Sequence, residues 1–184
     1  MRRLFVGLLG GAIGLLSTLV ISVYNLSEFY LLTWFLPGFL FGLALIWLRG
    51  KVSRWRRRLA LLCCSLGYPL ASFVGLLMAL PFVQMGIPEQ STLILVLIFS
   101  FTGAGAFGGG LVAFAWWILY DPWSTRVFGQ SLGAGSLLAQ AGFLPLIIPS
   151  ISSANVPLLT VWCAGMLMLV DAWTSEARAS TSQA

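Results

Sequence analysis

Long apolar runs separated by short polar joints make up nearly the whole chain. Residues 4–24, 29–48, 59–83, 93–120, 127–148 and 156–173 form six such runs, and Asp171 is the one charged residue inside any of them. An α-helix rises about 1.5 Å per residue, so roughly 20 apolar residues cross a hydrocarbon core of about 30 Å. The pattern therefore predicts an all-α polytopic membrane protein in which each run is a transmembrane helix. The joints are too short to fold separately, so residues 1–173 read as one transmembrane helical bundle. Residues 174–184, small and polar, read as a disordered tail.

The joints differ in charge, and that difference gives the runs a direction. Residues 49–58 (Arg-Gly-Lys-Val-Ser-Arg-Trp-Arg-Arg-Arg) hold six of the ten basic residues. Arg or Lys at a bilayer centre costs about 2.5–3.5 kcal/mol on insertion scales, and basic joints stay on the cytoplasmic side. Six crossings then put Arg2, Arg3, Arg126 and Arg178 on that same side, and leave Glu28 and Glu89 as the charges of the outer joints. Both termini are expected in the cytoplasm, and the protein in the bacterial inner (plasma) membrane as a multi-pass chain. Trp47, Trp55, Trp116, Trp117, Trp123 and Trp173 fall near cytoplasmic helix ends, where amphipathic rings anchor. The first run exceeds the apolar core of a secretory signal and no Ala-x-Ala cleavage site follows it, so it is read as helix one.

Composition agrees with the pattern: 59% of residues are hydrophobic, 8% are charged and mean hydropathy is +0.97. Soluble domains carry about a quarter charged residues. The net charge of +5 sits beside the spans, where topology accounts for it. Nucleic acid is accordingly not expected as a partner; anionic lipid headgroups are, at Arg54, Arg56, Arg57 and Arg58.

Candidate chemistry is sparse. The chain has no His, which removes the commonest general base and metal ligand. The three Cys are too scattered for a ligand set, and Cys63, Cys64 and Cys163 read as small apolar packers. No carboxylate lies at mid-span, as a proton relay would require, and Asp171 reads as a partner for Arg2, Arg3 or Arg126. The Gly-rich run 103–110 lacks the Lys-Ser/Thr ending of a phosphate loop. No enzyme activity, cofactor or metal is expected.

Two signals remain. Small residues recur at helical spacing: Gly7, Gly11 and Gly14 in helix one, Gly105 and Gly109 in helix four, Gly129 and Gly133 in helix five. Such stripes let membrane helices approach closely. Prolines form the second signal, for Pro37, Pro81 and Pro145 lie in the outer halves of three helices and bend them apart. A cavity open to the outside, with Asn25, Tyr30, Gln84, Gln140 and Ser136 as ligand-binding groups, is the expected place for a small uncharged molecule. Six short-looped helices with a basic cytoplasmic joint resemble, in topology alone, the small substrate-capturing subunits of some bacterial vitamin importers. The sequence thus fits a transport or solute-binding subunit, or an accessory subunit packing through its glycine faces onto another membrane protein or its own copy.

Overall fold

A computed structural model describes residues 1–24, 34–84, 89–120, 124–144 and 155–181, and these are almost entirely helical, without strand. The helices are α1 (Arg2–Tyr24), α2 (Leu36–Arg49), α3 (Arg54–Gln84), α4 (Glu89–Tyr120), α5 (Thr125–Ala139) and α6 (Asn155–Thr181); a 3-10 turn, Gln140–Phe143, continues α5. Four of them, α1, α3, α4 and α6, are long and apolar enough to cross a membrane. The described part of α2 has 14 residues and α5 has 15.

Local chemistry sets the helix ends. Gly50 adopts φ +82°, a left-handed conformation open to glycine, and its N–H donates to the Ile46 carbonyl at 3.0 Å, closing α2. Ser53 then starts α3: the Arg57 N–H reaches its carbonyl at 3.1 Å. The basic residues 54–58 are thus the first turns of a helix, where the sequence reading has a joint up to residue 58. Ser124 caps α5, its hydroxyl accepting from the Val127 N–H at 3.3 Å. The described tail also departs from expectation, since α6 continues past Trp173 to Thr181. Thr174 is buried, its hydroxyl donates to the Val170 carbonyl at 2.8 Å, and Ser175 donates to Asp171 at the same distance. These bonds to their own helix satisfy both hydroxyls, which lets Thr174 be buried.

The helices alternate in direction, so one end of the bundle carries Arg2, Arg49, the 54–58 segment and Arg126. Contacts across this basic end tie the helices together. The Arg49 Nε donates to the Leu119 carbonyl at 3.2 Å, and its guanidinium lies over the Tyr120 ring at 4.9 Å. Arg2 meets Asp171 at 2.7 Å, with Asp171 only 1% exposed, so the carboxylate within α6 has the partner expected of it. The indole N–H of Trp173 donates to the Gln130 Oε1 at 2.9 Å.

The core fills this half of the bundle. Leu45, Leu48, Trp116, Leu119, Leu167 and Val170 are all buried and form one cluster. Two tryptophans expected as interface anchors belong to it. Trp116 stacks on Tyr120 with centroids 5.2 Å apart and stands edge-on to Trp173 at 6.2 Å, so both rings are buried within the bundle and not on its outer surface. Trp47 and Trp55 are exposed, and Trp123 lies outside the described residues.

Candidate functional site

Around the bundle, α1 packs on α6, α6 on α5, α5 on α4, α4 on α3 and α3 on α2, while α4 barely touches α6. From mid-bundle toward the end away from the arginines this leaves a cavity of about 350 Å³ bounded by α2, α3, α4, α6 and Ala139 of α5. Phe41, Val112 and Cys163 line it where it borders the packed core. Pro37, in the first turn of α2, belongs to the opposite part of the wall.

Small residues shape the space. At Gly38 the backbone of α2 lies directly on the Cys64 carbonyl of α3, leaving no room for a Cβ. A Cβ at Gly75 would come to 2.9 Å from the Ser100 carbonyl, and the Ser100 hydroxyl donates to the Gly75 carbonyl at 3.0 Å, drawing α3 and α4 together. Between these close approaches the aromatic rings of Phe41, Tyr68, Phe101 and Trp162 supply the bulk of the lining. Phe41 and Trp162 pack at 5.6 Å across the gap between α2 and α6.

Hydrogen-bonding capacity on this wall is low. The Ser72 hydroxyl donates to the Tyr68 carbonyl of its own helix at 2.9 Å, and Ser100 is engaged with Gly75. Cys64 and Cys163 line the cavity as buried free thiols, which behave as small apolar groups. Among the described residues, no Asp, Glu, Lys or Arg lines it. Among the described residues no three His, Cys, Asp or Glu side chains converge as metal ligands would.

Gln140, Ser136 and Gln84, the described residues among those expected to bind a ligand, are absent from this lining. Gln140 turns its amide to α4, where Nε2 donates to the Thr102 hydroxyl at 2.9 Å. Ser136 donates to the Leu132 carbonyl at 3.0 Å and reaches the Thr102 carbonyl at 3.3 Å. Neither lines the cavity, since both join α5 to α4. Gln84 is exposed at the end of α3 and also lies off the wall. Asn25, Tyr30 and the Pro145 bend fall outside the described residues.

The glycines sort as follows. Gly7 lies under the Met168 thioether, Gly14 on the Leu159 carbonyl, and Gly11 beside Thr160, which sets α1 against α6. Gly10, which the four-residue spacing passes over, is as close, a Cβ there standing 2.5 Å from the Cys163 carbonyl. Gly105 and Gly109 lie against the backbone of Gly135 and Ser131, and the Ser131 hydroxyl donates to the Gly109 carbonyl at 2.5 Å. On α5 the stripe is therefore displaced from the one expected. Ser131, Gly135 and Ala139 face α4, while Gly129 and Gly133 have nothing within 4 Å of a Cβ. The cationic side chains Arg54, Arg57 and Arg58 are exposed, and Arg56 is half-buried.

Comparison of the chain with protein-family models, with curated proteins and with solved structures gave no match.

Proposed function

We propose that this chain is a six-span, non-enzymatic protein of the bacterial inner membrane, with both termini and the 49–58 segment cytoplasmic. In this reading it is a transport or solute-binding subunit that holds a small uncharged molecule in the outward half of the bundle. The observation that carries it is the contrast between the two halves: a packed core behind the arginines, and an uncharged cavity of about 350 Å³ away from them. Ligand sites are typically concave, largely apolar and about 300–1,000 Å³ in volume. The positive-inside bias supports the orientation, and the apolar runs 29–48 and 127–148, which overlap α2 and α5, are long enough to span. Arg54, Arg56, Arg57 and Arg58 then meet anionic headgroups, each contributing about 1 kcal/mol near the surface.

Two measurements test the reading. A Cys introduced at Ser53, in a chain whose own cysteines are replaced, is expected to resist an impermeant thiol reagent outside intact cells and to react once the membrane is opened; labelling from outside overturns the orientation. Native mass spectrometry of the gently solubilised protein is expected to find a small uncharged molecule bound in a fixed ratio.

The accessory-subunit reading also has an observation in its favour. Gly129, Gly133 and the exposed Leu137 form a smooth outward strip on α5. Loss of a co-purifying membrane protein in Gly133→Leu, with no small molecule bound to wild type, would favour it over the first.

A further inference from the structure

The chemistry of the cavity wall narrows the ligand further, given the reading that the cavity binds one. A polar solute buried in such a space needs donors or acceptors to replace the water it leaves, because a group left unpaired keeps its full desolvation cost. The Ser72 and Ser100 hydroxyls already donate to the Tyr68 and Gly75 carbonyls, at 2.9 and 3.0 Å. Both thiols are weak partners. Among the described residues, the other polar side-chain groups on the wall are the Tyr68 phenol and the Trp162 indole, each at the edge of a ring whose bulk is apolar. Gln140, Ser136 and Thr102 are bonded to one another and lie off the wall.

We infer that the ligand is an uncharged apolar chain or ring, held by shape and dispersion contacts with Phe41, Phe101 and Trp162 and not by hydrogen bonds. The volume of about 350 Å³ admits roughly a dozen water-sized groups at about 30 Å³ each. That is the size of a medium hydrocarbon chain or a substituted ring. Such a moiety has two sources, the acyl chain of a bilayer lipid or a free apolar solute.

Gly67 gives the means to test this. It is buried on the cavity wall, and a Cβ there would meet only the Leu111 Cδ1, at 3.6 Å, an ordinary contact. Unlike Gly38 or Gly75, it can carry a side chain into the cavity without displacing a helix. Leu also suits a helix interior better than Gly.

The experiment uses the full chain and Trp162 as reporter. Bromine quenches indole fluorescence on contact, and the Trp162 share is the difference between wild type and Trp162→Phe. Three brominated probes are compared: an alkane of about a dozen carbons, sized by the cavity, a small polyol, and a phospholipid with brominated acyl chains in nanodiscs. The alkane is expected to quench the Trp162 share saturably. Gly67→Leu is expected to raise its half-saturation at least tenfold without lowering the melting temperature of the probe-free protein, and Ala71→Leu, one turn along the same wall, provides the same test if Gly67→Leu melts early. Ser72→Ala and Tyr68→Phe are expected to stay within twofold of wild type. Quenching by the phospholipid as well as the alkane assigns the site to bilayer acyl chains, and quenching by the alkane alone assigns it to a free solute.

Tighter binding of the polyol than of the alkane, or a tenfold loss in Ser72→Ala or Tyr68→Phe, overturns the apolar class and leaves the cavity as a binding site. Quenching by none of the probes, or quenching unchanged in both filled variants, overturns the binding reading itself and this inference with it.

Discussion

Gly109→Ala adds one methyl group at the point where α4 and α5 touch backbone to backbone. The new Cβ would overlap the Ser131 carbonyl, and a carbonyl in mid-helix cannot rotate away, so the helices must separate. Separation lengthens the hydrogen bond from the Ser131 hydroxyl to the Gly109 carbonyl, now 2.5 Å. Interhelical bonds of this kind contribute about 0.6–1.7 kcal/mol, and overpacking costs about 1–3 kcal/mol. Replacing Gly by Ala in a helix returns about 1 kcal/mol, leaving a net loss of roughly 1–4 kcal/mol. At about 2–4 °C per kcal/mol for a chain of this size, melting should fall by several degrees or more. Gly133→Ala is the matched control, because its Cβ points into open space and only the helix preference changes. Thermal melting of the two variants in one detergent is the assay. Equal melting temperatures, or a larger loss in Gly133→Ala, would refute the assignment of Gly109 to the α4–α5 contact.

Other expectations concern the ties at the basic end and along α5. Arg2→Ala leaves Asp171 buried without its cation, whereas Asp171→Asn removes the buried charge, so Arg2→Ala is expected to melt lower; the reverse order would remove the ion pair from the account of how α1 is held to α6. Gln140→Leu breaks the bond to Thr102 and should cost about 0.6–1.7 kcal/mol in melting while leaving alkane binding unchanged; weaker binding at unchanged stability would return Gln140 to the ligand site. Replacing Arg54, Arg56, Arg57 and Arg58 by Gln should weaken binding of anionic lipid by up to about 1 kcal/mol per residue at low salt, measured by lipid retention in native mass spectrometry; equal retention would remove these arginines as the headgroup contact.

What could be read from the chain beforehand follows from the range of each signal. Apolar runs report on the solvent around a segment, so the helices themselves were legible. Their ends were less so: whether Arg54 opens a helix depends on the capping groups of Ser53, and whether α6 passes Thr174 depends on what buries that hydroxyl. Helix faces were harder still. In α5 two stripes share a four-residue spacing, Gly129 with Gly133 and Ser131 with Gly135 and Ala139, and spacing alone cannot rank them. Packing decides, because Gly105 and Gly109 of α4 offer the Ser131 and Gly135 backbones two matching hollows. The cavity was half legible. Pro37 does line a cavity, but the polar groups Gln140 and Ser136 are side chains whose polarity joins α5 to α4.

The cross-links at the basic end also fix how the bundle can move. Arg49 on the Leu119 carbonyl, Arg2 on Asp171 and Trp173 on Gln130 join α2 to α4, α1 to α6 and α6 to α5 at one level. α3 to α4 and α4 to α5 are tied farther along, by Ser100 on Gly75 and Gln140 on Thr102, whereas α2 and α6 act as levers about the basic end, with displacement growing with distance from the pivot. For an arm of about 20 residues, roughly 30 Å, a rotation of about 5° moves the tip by about 2.6 Å. The cavity lies partway along those arms, Leu159 standing 12 residues or about 18 Å from Asp171, so the same rotation shifts its wall by about 1.6 Å, roughly the length of a C–C bond.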